Sequence, residues 1–216
     1  QGRPARDSRG DQHRRAQKGS RVKTIQFIQA RHYTPVSIAK QRPIDLIVIH
    51  SAEIGESLAG AEALMRVCAV NERRASWHYA VDADSITQSV REQDVAWHAP
   101  GANRNGIGIE LSGRAKQTKE EWQDAFSLHM LELCAELVAD ICRRHKIPVT
   151  FVPREVLKLP GARGITTHAE VSKAFGKSTH WDPGPNFPMA WLLERTRYCQ
   201  GRDTEPPEPP PDTERA

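Results

Sequence analysis

The stretch Pro-Ile-Asp-Leu-Ile-Val-Ile-His at residues 43–50 decides the fold class. It is a short apolar run, rich in branched side chains, that follows a proline and ends on a histidine. Such a run is typical of a strand that is buried on both faces at the centre of a sheet. The polar residue at its end faces a cleft or a turn, so His50 is the first candidate functional residue.

Strand and helix patterns alternate outward from this run. Helical spacing of apolar residues predicts a helix that begins near Leu58 and a closing helix near Met189, while the longest helix begins at the capping box from Thr118 to Glu121. The chain is therefore predicted to be a single α/β domain, with a central, mostly mixed β-sheet flanked by helices and an open cleft. Residues 168–182 are predicted to be a loop, and further strands are predicted at residues 25–27, 77–81, 86–90, 107–111 and 164–167.

The two ends of the 216-residue chain carry opposite charges, although the formal net charge is only +4. Residues 1–23 hold eight Lys or Arg against two Asp, and residues 201–216 hold five acidic residues against two Arg. We predict a basic, disordered leader at residues 1–21, a folded domain at residues 22–200 and an acidic, proline-rich linker at residues 201–216. A basic arm can bind nucleic acid, but attraction to an anionic cell envelope or simple solubility explains it equally well.

The composition argues against several classes of protein. No run of about 18 apolar residues and no signal peptide is visible, so neither a membrane span nor export by a signal peptide is predicted. Four scattered cysteines do not make a disulfide framework, and they fit synthesis in a reducing compartment. The basic arm is not accompanied by a helix that enters a groove or by an aromatic and basic surface, which argues against nucleic-acid binding.

Three residues at predicted strand ends or in loops could hold a metal ion. They are His50, His168 and Asp182, and a catalytic zinc site needs three protein ligands of these types and an open position for water. Their separations, 168 minus 50 or 118 residues and 182 minus 168 or 14 residues, do not form a compact metal motif. The residues alone therefore leave open a second interpretation, in which the histidines cap or hydrogen-bond the strand ends.

Glu110 is a candidate proton acceptor. It shares one face of its strand with Gly108, so the carboxylate has room around it. Partial burial would raise its pKa and suit it to take a proton from water, whereas the alternative is an exposed glutamate on a solvent face. Trp97 and His98 precede a Pro-Gly turn, a usual place for a binding loop, but Trp97 could equally be a core residue.

The strand pattern at residues 77–81 favours structural roles for its aromatic residues. Hydrophobic packing is the default interpretation for Trp77 and Tyr79. His78 alternates with them and is expected to face water.

Six short motifs follow one another along the chain, and the final Asp-Pro-Gly-Pro is the most distinctive part. Together they closely resemble the type 2 N-acetylmuramoyl-L-alanine amidase family, which includes phage-type lysozymes with amidase activity and peptidoglycan recognition proteins. The resemblance covers roughly residues 44–191. The motifs are Ile-Val-Ile-His-Ser at 47–51, Ser-Trp-His-Tyr-Ala-Val-Asp at 76–82, Ala-Trp-His-Ala-Pro-Gly at 96–101, Asn-Gly-Ile-Gly-Ile-Glu-Leu at 105–111, Thr-Thr-His-Ala-Glu-Val-Ser at 166–172 and His-Trp-Asp-Pro-Gly-Pro at 180–185.

The resemblance implies one Zn²⁺ held by His50, His168 and Asp182, with water in the fourth position. Asp182 stands where some members carry cysteine. Glu110 matches the general base of the family. His180 departs from the pattern, because many relatives place lysine there; a protonated imidazole can do the same work, but imidazole ordinarily loses its charge near pH 6.5, so we expect activity to fall at alkaline pH.

The same resemblance implies a set of substrate contacts. His98 matches a histidine that lines the cleft in the family. Trp77, Trp97 and Asn105 lie in the resembling motifs, and we expect them to contact the substrate as well. Residues 147–163 form a long connection that we expect to shape substrate choice as a lid or wall of the groove.

The function that the resemblance implies is zinc-dependent hydrolysis of the amide between N-acetylmuramic acid and L-alanine in bacterial peptidoglycan. Pro-Asn-Phe-Pro at residues 185–188 and the proline-rich linker look most like the amidase module of a mycobacteriophage endolysin, made as a monomer in the host cytoplasm and carrying a cell-wall-binding domain beyond the linker. Two alternatives stay open: a noncatalytic peptidoglycan-recognition module and a bacterial muropeptide-recycling amidase. The filled ligand positions favour an enzyme, and the linker argues against recycling because tethered modules serve a surface substrate.

Overall fold

The computed structural model describes residues 25–201 and 205–209. The predicted leader at residues 1–21 lies outside these residues, as does most of the predicted linker. Two 3₁₀ turns occur, at Ile38–Lys40 and Glu121–Gln123. The helices and strands in chain order are β1 (Gln26–Phe27), β2 (Tyr33–Thr34), β3 (Leu46–Ser51), α1 (Gly60–Val70), β4 (Tyr79–Val81), β5 (Ile86–Gln88), β6 (Val95–Ala96), β7 (Gly106–Leu111), α2 (Ala125–His145), β8 (Gly164–Thr167), α3 (His168–Phe175) and α4 (Met189–Cys199).

Six strands form a mixed sheet in the order β1-β5-β4-β7-β3-β8. The central strand β3 pairs in parallel with β7 and β8, and β7 pairs in parallel with β4. Only the β4–β5 pair within this sheet is antiparallel among the described strands. Since the carboxyl ends of parallel strands meet at one edge, the ends of β3, β7 and β8 lie together. Strands β2 and β6 form a separate antiparallel pair.

Helices cover both faces of the sheet. On one face α2 and α4 pack against a large apolar cluster that includes Ile49 and Ile109. On the other face Leu46 and Val48 pack against Val171 of α3, while α1 contacts β4. These observations confirm the predicted α/β domain with a mixed central sheet.

Most of the predicted elements are confirmed, and several boundaries differ. The capping box forms between Thr118 and Glu121, but it opens the second 3₁₀ turn. Helix α2 begins after it, because Asp124 caps a new first turn by accepting a hydrogen bond from the backbone N–H of Ser127 at 2.8 Å. The predicted strand at residues 77–81 is shorter, since only Tyr79–Val81 pairs as β4.

The predicted loop at residues 168–182 is wrong in its first half. Residues His168–Phe175 form α3, which Thr167 caps by accepting a hydrogen bond from the backbone N–H of Glu170 at 3.2 Å. Gly176 ends the helix in the left-handed conformation at φ 63°. A helix of eight residues has too few turns to show a clear apolar period, which explains why the sequence pattern did not indicate it.

None of the described helices is both long and apolar enough to cross a membrane. Cys134 and Cys142 are both buried in α2, and no disulfide forms among the described residues. The boundaries of leader and linker stay predictions; residues 205–209 belong to no helix or strand.

Candidate metal centre and active site

The three predicted metal ligands come together at the carboxyl edge of the sheet. His50 is near the end of β3, His168 opens α3 directly after β8, and Asp182 lies in the turn that follows α3. One side-chain nitrogen or oxygen from each lies within 4.8 Å of the corresponding atoms of the other two, and all three residues are buried. Residues far apart in sequence therefore form one compact group because parallel pairing brings their strand ends together.

The geometry of the group fits a bound cation. Asp182 Oδ2 lies 3.2 Å from His50 Nδ1, and Asp182 Oδ1 lies 3.2 Å from His168 Nδ1. Two ligands of a tetrahedral zinc ion with bonds of 2.0–2.1 Å are about 3.3 Å apart. Asp182 Oδ2 is also buried without a hydrogen-bond donor among the described residues. A buried carboxylate oxygen without a donor, facing imidazole nitrogens at ligand spacing, is what a site for Zn²⁺ would present.

Each candidate histidine ligand has a neighbour at its second ring nitrogen. His50 Nε2 lies 3.0 Å from Nδ1 of His98. His168 Nε2 lies 3.4 Å from the Ser178 hydroxyl, which in turn lies 2.5 Å from the Ser172 hydroxyl. Partners at the second nitrogen fix the tautomer and the ring orientation of a metal-ligating histidine.

The turn that carries Asp182 is held tightly in place. The backbone N–H of Ala169 donates to the carbonyl of Asp182 at 2.9 Å. Gly184 has a φ of 93°, and a Cβ there would lie 1.8 Å from the carbonyl oxygen of Ala115. Glycine is therefore required at 184 both for its backbone conformation and for close contact with the neighbouring loop.

Glu110 lies directly beside His50, because the two residues are paired in the β3–β7 register. Its Oε1 is 3.8 Å from His50 Nδ1. Burial raises the pKa of Glu110 well above its ordinary value, and the negative charges of Asp182 and Glu53 add to the rise. A carboxylate with a raised pKa is a stronger base when ionised, which suits it to accept a proton from water at the cluster.

The charges of the other groups also suit metal binding. Burial alone would raise the pKa of Asp182, but its contacts with His168 and His50 hold that pKa well below its ordinary value. Burial lowers the pKa of His50, and it lowers that of His98 far more clearly. The lowered pKa of Asp182 favours an ionised carboxylate, and the lowered pKa of His50 favours a neutral imidazole, which are the forms that metal ligation requires.

His180 and Trp181 form the exposed rim of the cluster. The His180 ring stacks on His168 with centroids 4.4 Å apart, and its Nδ1 lies 3.4 Å from Asp182 Oδ1. Its side chain is 64% exposed. Trp181 is 52% exposed, although the next residue, Asp182, is buried. In the sequence, the position of Trp181 between His180 and Asp182 is the one signal that marks it as a candidate site residue.

Three residues that were predicted to contact the substrate have well-defined protein contacts of their own. His98 is buried behind His50, although we expected it to line the cleft. Trp77 packs into two apolar clusters, and its indole nitrogen is buried. Trp97 donates from Nε1 to the Thr34 hydroxyl at 2.9 Å. It also stacks on His32 and lies under the guanidinium of Arg74.

Asn105 is not brought to the cluster at all. It precedes the amino end of β7, where its carbonyl accepts hydrogen bonds from the backbone of Asp45 and Leu46. Glu110 is five residues further along, which corresponds to roughly 17 Å of extended strand. The structure gives no support to a substrate contact by Asn105, and the roles of Trp77 and Trp97 stay predictions.

The prediction that His78 faces water is wrong. The residue is fully buried, and its Nδ1 accepts a hydrogen bond from the backbone N–H of Gly108 at 3.0 Å. Its Nε2 lies 3.2 Å from the carbonyl of Asp94. It precedes β4 and does not continue the alternation of that strand.

The long connection at residues 147–163 does not stand free as a lid. Val152 and Leu157 pack with Leu46 and Val48 in the apolar cluster beneath α3. A role of this connection in substrate choice stays a prediction.

Comparisons with known proteins agree with this fold and identify its family. A family described as Amidase_2, N-acetylmuramoyl-L-alanine amidase, matches residues 40–185. N-acetylmuramoyl-L-alanine amidase A of Achromobacter lyticus is 32% identical over 124 residues, which cover 54% of this chain and 66% of that protein. The match therefore spans just under two thirds of the relative's length.

Solved structures share the fold at low identity. The hydrolase AmiA of Staphylococcus aureus, solved with its ligand, superposes with a TM-score of 0.62 at 17% identity over 85% of this chain and 88% of that chain. The endolysin N-acetylmuramoyl-L-alanine amidase LysCS of Clostridium intestinale gives a TM-score of 0.51 at 18% identity over 81% and 95%.

The fold and the cluster beside Glu110 define an α/β domain with three buried side chains that could hold a metal ion. More narrowly, the chain belongs to the N-acetylmuramoyl-L-alanine amidase family, whose match includes all three candidate ligands and Glu110.

Proposed function

We propose that this protein hydrolyses the amide bond between N-acetylmuramic acid and L-alanine in bacterial peptidoglycan, with one Zn²⁺ held by His50, His168 and Asp182. The observation that carries the proposal is the convergence of these three buried side chains beside Glu110. The family match and the relative from Achromobacter lyticus support the choice of bond.

The zinc site, Glu110 and His180 have different roles in this reaction. Zinc in the site would acidify water and polarise the amide carbonyl. Glu110 accepts the proton of the attacking water at its carboxylate and then delivers a proton to the leaving amine of L-alanine. His180 lies at the exposed rim, where it donates a hydrogen bond to the carbonyl oxygen as negative charge develops on that atom. The low exposure of His50 and Glu110 keeps bulk water from competing for these contacts.

We further propose that the protein acts as the catalytic module of a phage endolysin that lyses its host. The sequence resemblance to mycobacteriophage modules supports this role, and so does the shared fold with an endolysin amidase of Clostridium intestinale. In this role the protein is a monomer made in the host cytoplasm, and the proline-rich segment leads to a domain that binds the cell wall. A tethered binding domain raises the effective concentration of the active site at the wall.

Mass spectrometry of released products tests the activity. The zinc-loaded protein is incubated with purified actinobacterial peptidoglycan, and Glu110→Gln is run in parallel. We expect free stem peptides that begin at L-alanine, and at least about 100-fold slower release from the variant. Tight binding to peptidoglycan without release of peptides would contradict the proposal and favour a recognition module.

A second comparison tests the endolysin role. Polymeric peptidoglycan and a soluble muropeptide are offered separately at equal concentrations of the target bond. We expect faster release from the polymer. A clear preference for the soluble muropeptide would contradict the endolysin role and favour a recycling amidase.

A further inference from the structure

The side chain of His98 lies behind the candidate metal ligand His50, on the side away from the metal. Its Nδ1 is 3.0 Å from His50 Nε2, and the two rings meet edge to face with centroids 5.2 Å apart. His98 is only 8% exposed. It is therefore poorly placed to contact a substrate, and its contact with His50 needs another explanation.

The proton positions along this pair follow from the chemistry of the imidazole ring. His50 Nδ1 faces Asp182 Oδ2 at 3.2 Å, so binding of a cation there requires a lone pair on Nδ1. A neutral imidazole has one N–H, which must then be on Nε2 of His50. That N–H donates to Nδ1 of His98, which acts as the acceptor. One pair of tautomers thus satisfies both the metal and the hydrogen bond.

Gly108 of β7 makes the room that the His98 ring occupies, whereas Gly106 allows a close approach of the Ala102 carbonyl. A Cβ at Gly108 would lie 2.5 Å from His98 Cγ and 2.7 Å from its Nδ1. At Gly106 a Cβ would lie 3.5 Å from His98 Cε1 and 2.7 Å from the carbonyl of Ala102. Any larger residue at position 108 would displace the ring from its contact with His50.

The surrounding structure holds His98 firmly. The amide oxygen of Asn103 accepts hydrogen bonds from the backbone N–H groups of His98 at 3.0 Å and Ala99 at 2.6 Å. The buried ring of His78 packs against His98 with centroids 5.7 Å apart. His78 in turn accepts a hydrogen bond from the backbone N–H of Gly108. A ring fixed in this way can orient its neighbour.

We propose that His98 is a positioning residue of the metal centre: it accepts a hydrogen bond from His50 Nε2, holds His50 Nδ1 toward Asp182 and His168, and depends on Gly108 for its place. The proposal rests on the metal centre of the proposed function. It predicts a loss of metal affinity when the acceptor at position 98 is removed, whether or not the substrate is peptidoglycan.

The test compares two substitutions of His98 in the full chain by measuring the dissociation constant for Zn²⁺ in competition with a chelator. Asn can place its side-chain oxygen close to the position of Nδ1, whereas Leu has a similar size and no acceptor. We expect His98→Leu to weaken zinc binding about 10- to 100-fold, and His98→Asn to remain within roughly 3-fold of the unchanged protein. Equal affinities in all three proteins, or equal losses in both variants, would overturn the proposal.

A second substitution keeps the test decisive if His98→Leu does not fold. Gly108→Ala removes no polar atom, yet its Cβ displaces the His98 ring, so we expect a similar loss of zinc affinity. Gly55→Ala is the matched control, because a Cβ at position 55 meets no atom within 4 Å. Affinity unchanged in Gly108→Ala would contradict the proposal, whereas failure of the unchanged protein to bind zinc would instead contradict the metal centre itself.

Discussion

The two faces of strand β7 differ in almost every respect although they share one backbone. Ile107, Ile109 and Leu111 point into the apolar cluster beneath α2 and α4, and all three are fully buried. The opposite face carries Gly108, which lies against the imidazole of His98, and Glu110, which lies beside the candidate ligand His50. Because successive side chains of a strand point to opposite faces, one face can supply stability while the other supplies chemistry.

The same contrast occurs on β3, where Ile49 is in the large apolar cluster and the next residue, His50, is a candidate ligand. The comparison predicts that stability and function can be changed separately by substituting adjacent residues. Substitutions on the apolar face should lower the free energy of unfolding. Substitutions on the polar face should change activity or metal binding and leave the fold intact.

Glu110→Gln should show the largest effect, on the polar face. We expect kcat on peptidoglycan to fall by about 10²- to 10⁴-fold, since the amide cannot accept the proton of water. Zinc affinity should stay within a few-fold, because Glu110 is not one of the three grouped ligands. Release of soluble peptides measures kcat, and chelator competition measures zinc affinity. Retained activity would exclude Glu110 as the general base.

The same variant should be more stable than the unchanged protein at neutral pH when both are free of metal. Burial, Asp182 and Glu53 raise the pKa of Glu110, so its ionised form destabilises the folded state above that raised pKa. The penalty is lost as the pH falls through the raised pKa toward the ordinary glutamate value near 4.3. We therefore expect Glu110→Gln to raise Tm at pH 7 and to lose this advantage near pH 4. A lower Tm at pH 7 would contradict the argument.

Ile109→Ala tests the apolar face of β7 and should lower the stability of the fold without changing its function. Ile109 is fully buried, and removal of its side chain should lower the free energy of unfolding by about 2–5 kcal/mol. Urea denaturation measures this loss, and zinc affinity and kcat of the folded variant should change less than about 3-fold. Val67→Ala is the control, because Val67 is 50% exposed on α1 and should cost much less. A large loss of zinc affinity in folded Ile109→Ala would show that the faces are coupled.

The sequence predicts the scaffold well where one physical signal dominates. The branched apolar run that ends at His50 predicts β3 with boundaries that the structure confirms within two residues, and the strand predicted at residues 164–167 is confirmed as β8. The family resemblance groups His50, His168 and Asp182, and the structure brings them together. Spacing alone left this grouping open, because the pairing of strand ends is a tertiary event.

The sequence fails where a long-range partner decides the environment of a residue. The space beside Gly108 was inferred, but the ring that fills it comes from His98 in a loop with no local signal for that contact. Asn105 shares a motif with Glu110, yet an extended strand separates their positions by roughly 17 Å. His78 was expected at the surface because its neighbours alternate, but backbone and loop contacts bury it. Two residues that belong to one sequence motif therefore need not lie in the same functional site.

Trp181→Ala should show the smallest effect, and it tests whether the exposed rim of the polar site contributes to substrate binding. The indole is 52% exposed between His180 and Asp182, so it can offer an apolar surface to a substrate that enters the cluster. We expect KM for peptidoglycan to rise roughly 2- to 10-fold, in line with the strength of single aromatic contacts, while kcat and zinc affinity stay nearly unchanged.

Trp181→Phe should recover most of the lost affinity, because it keeps an aromatic face and removes the indole nitrogen. Phe151→Ala provides the control: Phe151 is 39% exposed, but it pairs with Ile165 at the outer edge of the sheet, away from the cluster. An unchanged KM in Trp181→Ala would leave the exposed indole without a part in substrate binding. A fall in kcat with KM unchanged would instead show that Trp181 acts by holding its neighbours His180 and Asp182 in place.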